Sequence, residues 1–333
     1  MRKRQIVSVI LFLALVTGLL LLCTRVLTRK SLFGAWDMTN KIAGFYNEPE
    51  DEFEVMFFGS SNAYAAFSPL ELWHGTGVKS YVFATQQQPM WATYHYIREA
   101  LKTQSPAVIV VDTQMMIQTE PFAEPAVVHS YTDDLPFSLN KLALIRVSAE
   151  GADRLEYLFP LIRYHDRWAE LKRYDFTIGR SSIRDPYKGY VLLPETGFVP
   201  ERYGPPGYDG FVQGKSLDYL LRIADLCAEK GVALWLTQTP SNPEPEQQAV
   251  FTALERELAA RGMALDSYND MYDSIGLDPE TDFYDQHHLN ARGAAKFTDW
   301  FAARLTERYP DLETDKNDPL WSAEYQNYRA NIG

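Results

Sequence analysis

The chain has 333 residues, 46% hydrophobic and 23% charged, enough apolar material for one large packed domain and too much for wholesale disorder. Its formal net charge of −12 argues against binding nucleic acid through a basic surface. Its two cysteines, Cys23 in an apolar run and Cys227 in an amphipathic helix pattern, predict no disulfide and exclude a zinc site built from cysteine pairs.

The chain opens on MRKRQ, which is basic, followed by Ile6–Cys23, an uncharged run of 18 residues rich in Leu, Ile and Val. That length crosses about 30 Å of hydrocarbon as one helix. A cleaved signal peptide needs a shorter apolar core and a small-residue cleavage site, and neither is present. A lipoprotein needs a small residue before its cysteine, where Leu22 stands. Residues 1–30 therefore read as a cytoplasmic tip and an uncleaved single-pass anchor. Arg2, Lys3 and Arg4 before the run balance Arg25, Arg29 and Lys30 after it, so side-chain charge does not orient the span by itself. Residues 31–333 are expected on the extracytoplasmic side.

Residues 31–52 form a juxtamembrane segment with aromatic and amphipathic character. A βα alternation then begins. FEVMFFG (53–59) predicts a buried strand, SPLELWHG a short helix, KSYVFA (79–84) a second strand, MWATYHYIREALKTQ (90–104) a helix, and PAVIVVDT (106–113) a third strand. Nearly continuous Val and Ile in the last of these suits a parallel strand covered on both faces. The alternation lapses over 115–213, too long for a loop, which reads as an insertion or cap with helical pieces such as LNKLALIRVSAEG and LEYLFPLIRYHDRWAELKRY. It ends in the Gly/Pro-rich RYGPPGYDG (202–210). Alternation resumes with a helix at 214–231 capped by Gly231, a strand at 232–240, a helix at 243–262 with Pro in its first turn, the short strand MALDSY, and a last long helix at 290–309. The prediction is an α/β domain over 53–333, a three-layer sandwich with a mostly parallel sheet, interrupted after strand three.

In such sheets ligands bind outside the carboxyl ends of the strands. Three groups of residues fall there: Gly59-Ser60-Ser61-Asn62 after the first strand, TQQQP (85–89) and DTQMM (112–116) after the second and third, and FYDQHHLN (283–290) before the last long helix. Gly-Ser-Ser alone reads as a turn or helix cap. Asp285 and His288 are three residues apart, a spacing at which a loop can turn the carboxylate onto the imidazole. A neutral His held this way is a base able to take a serine proton. His287-His288 lacks the further acidic or His ligands a metal would need, and no cofactor is expected.

The combination of strand–Gly-Ser-Ser, an α/β core and Asp-x-x-His-Leu-Asn before a final helix resembles the SGNH/GDSL hydrolase superfamily in its Gly-Ser-Ser variant. Matching the family's Gly-Asp-Ser to Gly59-Ser60-Ser61 implies Ser61 as nucleophile, with its backbone N–H as an oxyanion donor. His288 becomes the base and Asp285 its orienting acid; His287 lacks the three-residue spacing. Asn62 belongs to the same block. The family's oxyanion Asn after strand three is replaced at Gln114, and its second-block Gly by TQQQP, where Gln87 or Gln88 can either donate to an oxyanion or cap the following helix.

The anchor, the large insertion with RYHDRW (163–168) and YKGY (187–190), and the Asp-x-x-His-Leu-Asn end further resemble membrane-anchored bacterial proteins of the DltD-like group, which work with membrane-bound O-acyltransferases (MBOATs). That resemblance implies a serine O-acyltransferase or esterase acting on a cell-envelope polysaccharide, with an MBOAT partner. Arg163, His165, Arg167 and Trp168 read either as a solvated basic helix face or as anion or partner contacts. The alternative function is a catalytically silent scaffold that recruits an acyltransferase or binds polysaccharide.

Overall fold

The computed structural model describes residues 3–197, 203–204, 207 and 209–332. Arg2 of the basic tip and Arg202, Pro205, Pro206 and Tyr208 of the Gly/Pro-rich exit lie outside the described residues.

Helix α1 (Lys3–Leu27) carries an apolar stretch with mean hydropathy 3.0 and no part of it buried. Its 25 residues rise about 37 Å, long and apolar enough to cross a membrane. The chain then folds back onto the domain. Helix α2 (Thr39–Phe45) is buried, with Phe45 stacked on Phe83 at 4.2 Å and the Lys41 carbonyl accepting the Tyr81 hydroxyl at 2.6 Å. The juxtamembrane segment thus contributes to the core.

Five parallel strands follow: β1 (Val55–Phe58), β2 (Ser80–Val82), β3 (Val108–Asp112), β4 (Ala233–Gln238) and β5 (Leu265–Ser267), in the order β2-β1-β3-β4-β5. Every residue of β1 and β3 is buried, as their unbroken apolar runs require. Adjacent residues of β1 face opposite layers. Phe57 meets Phe67 and Phe301, whereas Phe58 meets Phe83. One helical group comprises α3 (Ser61–Ala66), α4 (Pro69–Thr76), α14 (Ala291–Arg308) and α15 (Pro319–Ile332); the other comprises α5 (Met90–Ala100), α7 (Leu139–Ser148) and α11 (Lys215–Lys230).

Among its described residues the insertion holds five short α-helices, α6 (Pro125–Thr132), α7 (Leu139–Ser148), α8 (Arg154–Leu158), α9 (Pro160–Tyr164) and α10 (Arg173–Thr177), with 3-10 turns among them. The helical stretch expected at LEYLFPLIRYHDRWAELKRY is broken. Phe159, ahead of Pro160, is pushed to φ −120°, ψ 86°, as the residue before a proline is, and α8 ends there. The second half regains regularity: α11 (Lys215–Lys230), stopped by left-handed Gly231, α12 (Pro245–Ala260), α13 (Tyr272–Ile275) and α14 (Ala291–Arg308). The helix at 291–308 is not the last. A further helix, α15 (Pro319–Ile332), covers α4, with Trp321 and Tyr328 fully buried.

The insertion also receives the end of α1. Arg167 is buried and donates from Nη2 to both Asp175 oxygens (2.9 and 2.8 Å) and from Nη1 to the Leu27 carbonyl (2.7 Å). Lys30 donates to the Asp175 carbonyl (2.9 Å) and the Arg25 carbonyl (3.0 Å). A free carbonyl at a helix C-terminus attracts cations, and here a guanidinium satisfies it. Asp175 has no exposed surface, so removing its partner leaves a buried carboxylate served only by Lys30 and a backbone amide. Arg167→Met should therefore weaken this joint by about 3 kcal/mol. Hydrogen exchange in 160–178 should accelerate by about a hundredfold, and unchanged exchange would show that the pair does not hold the joint.

Candidate active site

The strand order puts a switch point between β1 and β3, whose onward connections leave in opposite directions along the sheet. Gly59 ends β1 at φ +148°, and a Cβ there would lie 2.8 Å from the Asp112 Cβ and 3.0 Å from the Ala63 Cβ. Only glycine lets β1 finish this close to β3. Ser60 follows, buried and extended. Its hydroxyl neither caps α3 nor finds another partner. Ser61, the first residue of α3, is partly exposed. Tyr64, one turn on, is buried, and its phenol lies near enough to the Ser61 side chain to feel it without a well-aligned hydrogen bond.

Asp112 closes β3 and ties the neighbouring strand ends together. Its Oδ2 accepts the Thr239 amide (2.9 Å) and hydroxyl (2.8 Å), and its Oδ1 accepts the Gln114 amide (3.1 Å). Burial nevertheless pushes the carboxyl up to about 6, these bonds only partly offsetting it.

The opposite wall is the turn from 283 to 290. Tyr284 donates to the His288 carbonyl (2.9 Å), and Phe283 and Leu289 form an antiparallel bridge. Within that loop Asp285 Oδ1 accepts the His287 amide (2.8 Å), the His288 amide (2.9 Å) and His288 Nδ1 (2.8 Å). Burial opposes ionisation of Asp285, but the His288 ring and the two amides outweigh it and hold the carboxyl below its ordinary value. With Nδ1–H assigned as donor to Asp285, Nε2 of His288 is the basic nitrogen. It is buried and, among the described residues, has no hydrogen-bond partner. His287 receives no such clamp, and burial lowers its pKa despite Asp285. The loop is fastened behind by Asn290, which caps α14 through the Gly293 amide (3.0 Å) and donates to the Thr281 carbonyl (2.8 Å).

The two walls meet through Asn62, whose amide donates to the His287 carbonyl (2.9 Å). They also meet through Trp36, whose ring packs against Tyr64 (6.0 Å), Tyr284 (5.6 Å) and His288 (5.4 Å). Trp36 stands in the segment between the apolar helix and α2 and carried no motif in the sequence beyond its aromatic character. A third seam comes from the end of the insertion. Val191 donates to the Tyr64 carbonyl, Gly197 to the Phe283 carbonyl, and the Leu193 carbonyl accepts the Ala291 amide.

The remaining candidates separate. Gln114 opens a 3-10 turn after β3, buried, with its Oε1 unpartnered. Gln88 is fully buried and committed, accepting from Thr85 Oγ1 (3.1 Å) and donating to Thr93 Oγ1 (3.0 Å), so it locks the turn before α5. Gln87 is exposed at φ +45°. Arg163, His165, Arg167 and Trp168 belong to the joint around α1, not to this site. Arg163 is half-exposed over the Tyr164 ring at 5.6 Å, and His165 Nδ1 bonds the Ile162 carbonyl at 2.9 Å. Trp168 is exposed, and Arg167 is spent on Asp175 and Leu27.

Comparison of the chain with known protein families and with curated proteins finds no match.

Because Asp285 is held below its unfolded value, its stabilising contribution is complete above about pH 4 and is lost as pH falls through the lowered value. Asp112 has the opposite sign: its contribution is greatest below about pH 4 and falls as pH rises through about 6. Urea midpoints from pH 3 to 7 should therefore show wild type converging on Asp285→Asn only at the acid end. A constant gap across that range would contradict the assignment of an ionised Asp285 held by the His288 ring and the two amides.

Proposed function

We propose that the protein is a membrane-anchored, extracytoplasmic serine O-acyltransferase or esterase of the SGNH type. The observation that carries this reading is the Asp285–His288 clamp, which leaves a buried, unpartnered Nε2 on a loop that Asn62 ties to the start of the Ser61 helix. The motifs at 59–61 and 285–290, read as a family resemblance, support the same assignment.

On this reading Ser61 Oγ attacks an ester or thioester carbonyl while His288 Nε2 takes its proton. The oxyanion of the tetrahedral intermediate is met by the Ser61 amide and by a side-chain amide, for which Gln114, buried in the turn that follows β3, is the candidate. Collapse expels the donor's alcohol or thiol, which leaves with the proton from His288. Acyl-Ser61 is then attacked by an acceptor hydroxyl, deprotonated by His288, and Ser61 is regenerated. Water as acceptor gives an esterase and a sugar hydroxyl a transferase. Trp36 lying edge-on to His288 favours transfer, since an aromatic wall restricts water at the base. The anchor favours it too, by concentrating the site near a membrane-borne donor such as an MBOAT partner would supply, with a cell-envelope polysaccharide as acceptor.

One observation favours the scaffold reading: Gln88, a candidate oxyanion donor, is consumed by Thr85 and Thr93. A fluorophosphonate serine probe separates the two. The enzyme reading expects labelling of the full-length protein that disappears in Ser61→Ala, and no labelling of folded wild type would overturn it. Acyl-ester turnover should fall by about 10³-fold or more in Ser61→Ala and in His288→Ala. Gln114→Ala should lower kcat by about 10²-fold with little change in KM, and an unaltered kcat would remove Gln114 from the oxyanion site.

A further inference from the structure

The joint around the end of α1 has an outer surface that the acyl chemistry does not use. Helices α9 and α10 both contact α1. Around that contact Phe33, Phe159, Ile162, Trp168 and Phe176 are all exposed. Phe33 is held there by an edge-on contact with Tyr174 at 5.4 Å, and Trp168 follows Arg167, whose guanidinium grips the Leu27 carbonyl. Five large apolar side chains left in water around one helix end are costly unless something covers them.

The charge of the same region differs from that of the chain. Segments 25–33 and 159–178 carry Arg25, Arg29, Lys30, Arg163, Arg167, Lys172 and Arg173 against Asp166, Glu170 and Asp175, whereas the whole chain is −12. Aromatic side chains with basic neighbours, continuous with an apolar helix just where its uncharged run ends, match the composition of a membrane–water interface. We infer that this collar is a membrane seat: Phe33, Phe159, Ile162, Trp168 and Phe176 enter the headgroup layer, and the exposed Arg25, Arg29, Arg163, Lys172 and Arg173 meet anionic lipid, Arg167 and Lys30 being committed to Asp175 and to carbonyls. The inference rests on α1 crossing a membrane, as in the reading above. It adds that the folded domain lies on the bilayer and does not swing free on a tether.

The test uses the full-length protein in vesicles of phosphatidylcholine and phosphatidylglycerol. An environment-sensitive nitrobenzoxadiazole (NBD) fluorophore is attached at Ile162→Cys or, as a reference for the span, at Val16→Cys, each in a Cys23→Ser background. Cys227 is buried, its thiol pushed up to about 12, and does not compete for label. The seat expects emission at 162 to be quenched by lipids carrying a nitroxide near the headgroup and shielded from iodide. It also expects this quenching to weaken by about twofold or more in phosphatidylcholine alone, while position 16 is unchanged. Iodide-accessible, water-like emission at 162 with position 16 in lipid overturns the seat and leaves the anchor standing. Water-like emission at both overturns the anchor as well.

Discussion

The close passage of Gly59 over Asp112 is the constraint from which the site is built. β1 and β3 are paired from Val55 to Phe58, and at the end of that ladder a side chain on residue 59 has no room. The missing Cβ lets β1 turn straight into α3, which sets Ser60 inside and Ser61 at the lip. Asp112 fixes the other half of the switch by holding Thr239 after β4 and the Gln114 turn after β3. Any residue larger than glycine at 59 must push apart the end of β3 at Asp112 and the start of α3 at Ala63.

The second wall is built from sequence-distant parts that have to be brought to the first. Three independent seams do this: Asn62 to the His287 carbonyl, the 191–197 segment to both α3 and the histidine loop, and Trp36 across the front. The insertion is therefore part of the site's frame, because its residues 191–197 stitch the Ser61 helix to the histidine turn. Asp285 then serves two purposes with one carboxylate. By accepting two backbone amides it sets the shape of the loop, and by accepting Nδ1 it sets the face of the imidazole.

Much of this was legible in the chain. β1, β2 and β3 lie within short, mostly apolar runs, whereas β5 is Leu-Asp-Ser and only partly buried. The three-residue step from Asp285 to His288 predicts a carboxylate beneath an imidazole, and the structure has one. What was not legible depends on contacts without periodicity. Ser61–Ala66 is too short to show a helical repeat. Trp36 looks like any juxtamembrane aromatic until the fold carries it to His288. Gln88 cannot be told from a catalytic amide without seeing Thr85 and Thr93 on either side. Arg167 reads as a surface cation because its partner Asp175 and the Leu27 carbonyl are joined to it only by folding.

Trp36 lies nine residues beyond Leu27, the last residue of α1. Even a fully extended chain of that length reaches only about 30 Å. The imidazole is one ring contact further on, so the site is confined to a thin shell above the level at which α1 ends. If α1 crosses a membrane and the site acts on an envelope polymer, as proposed, only the membrane-proximal stretch of that polymer comes within reach unless it folds back. On that reading the apolar helix sets a depth limit as well as an address.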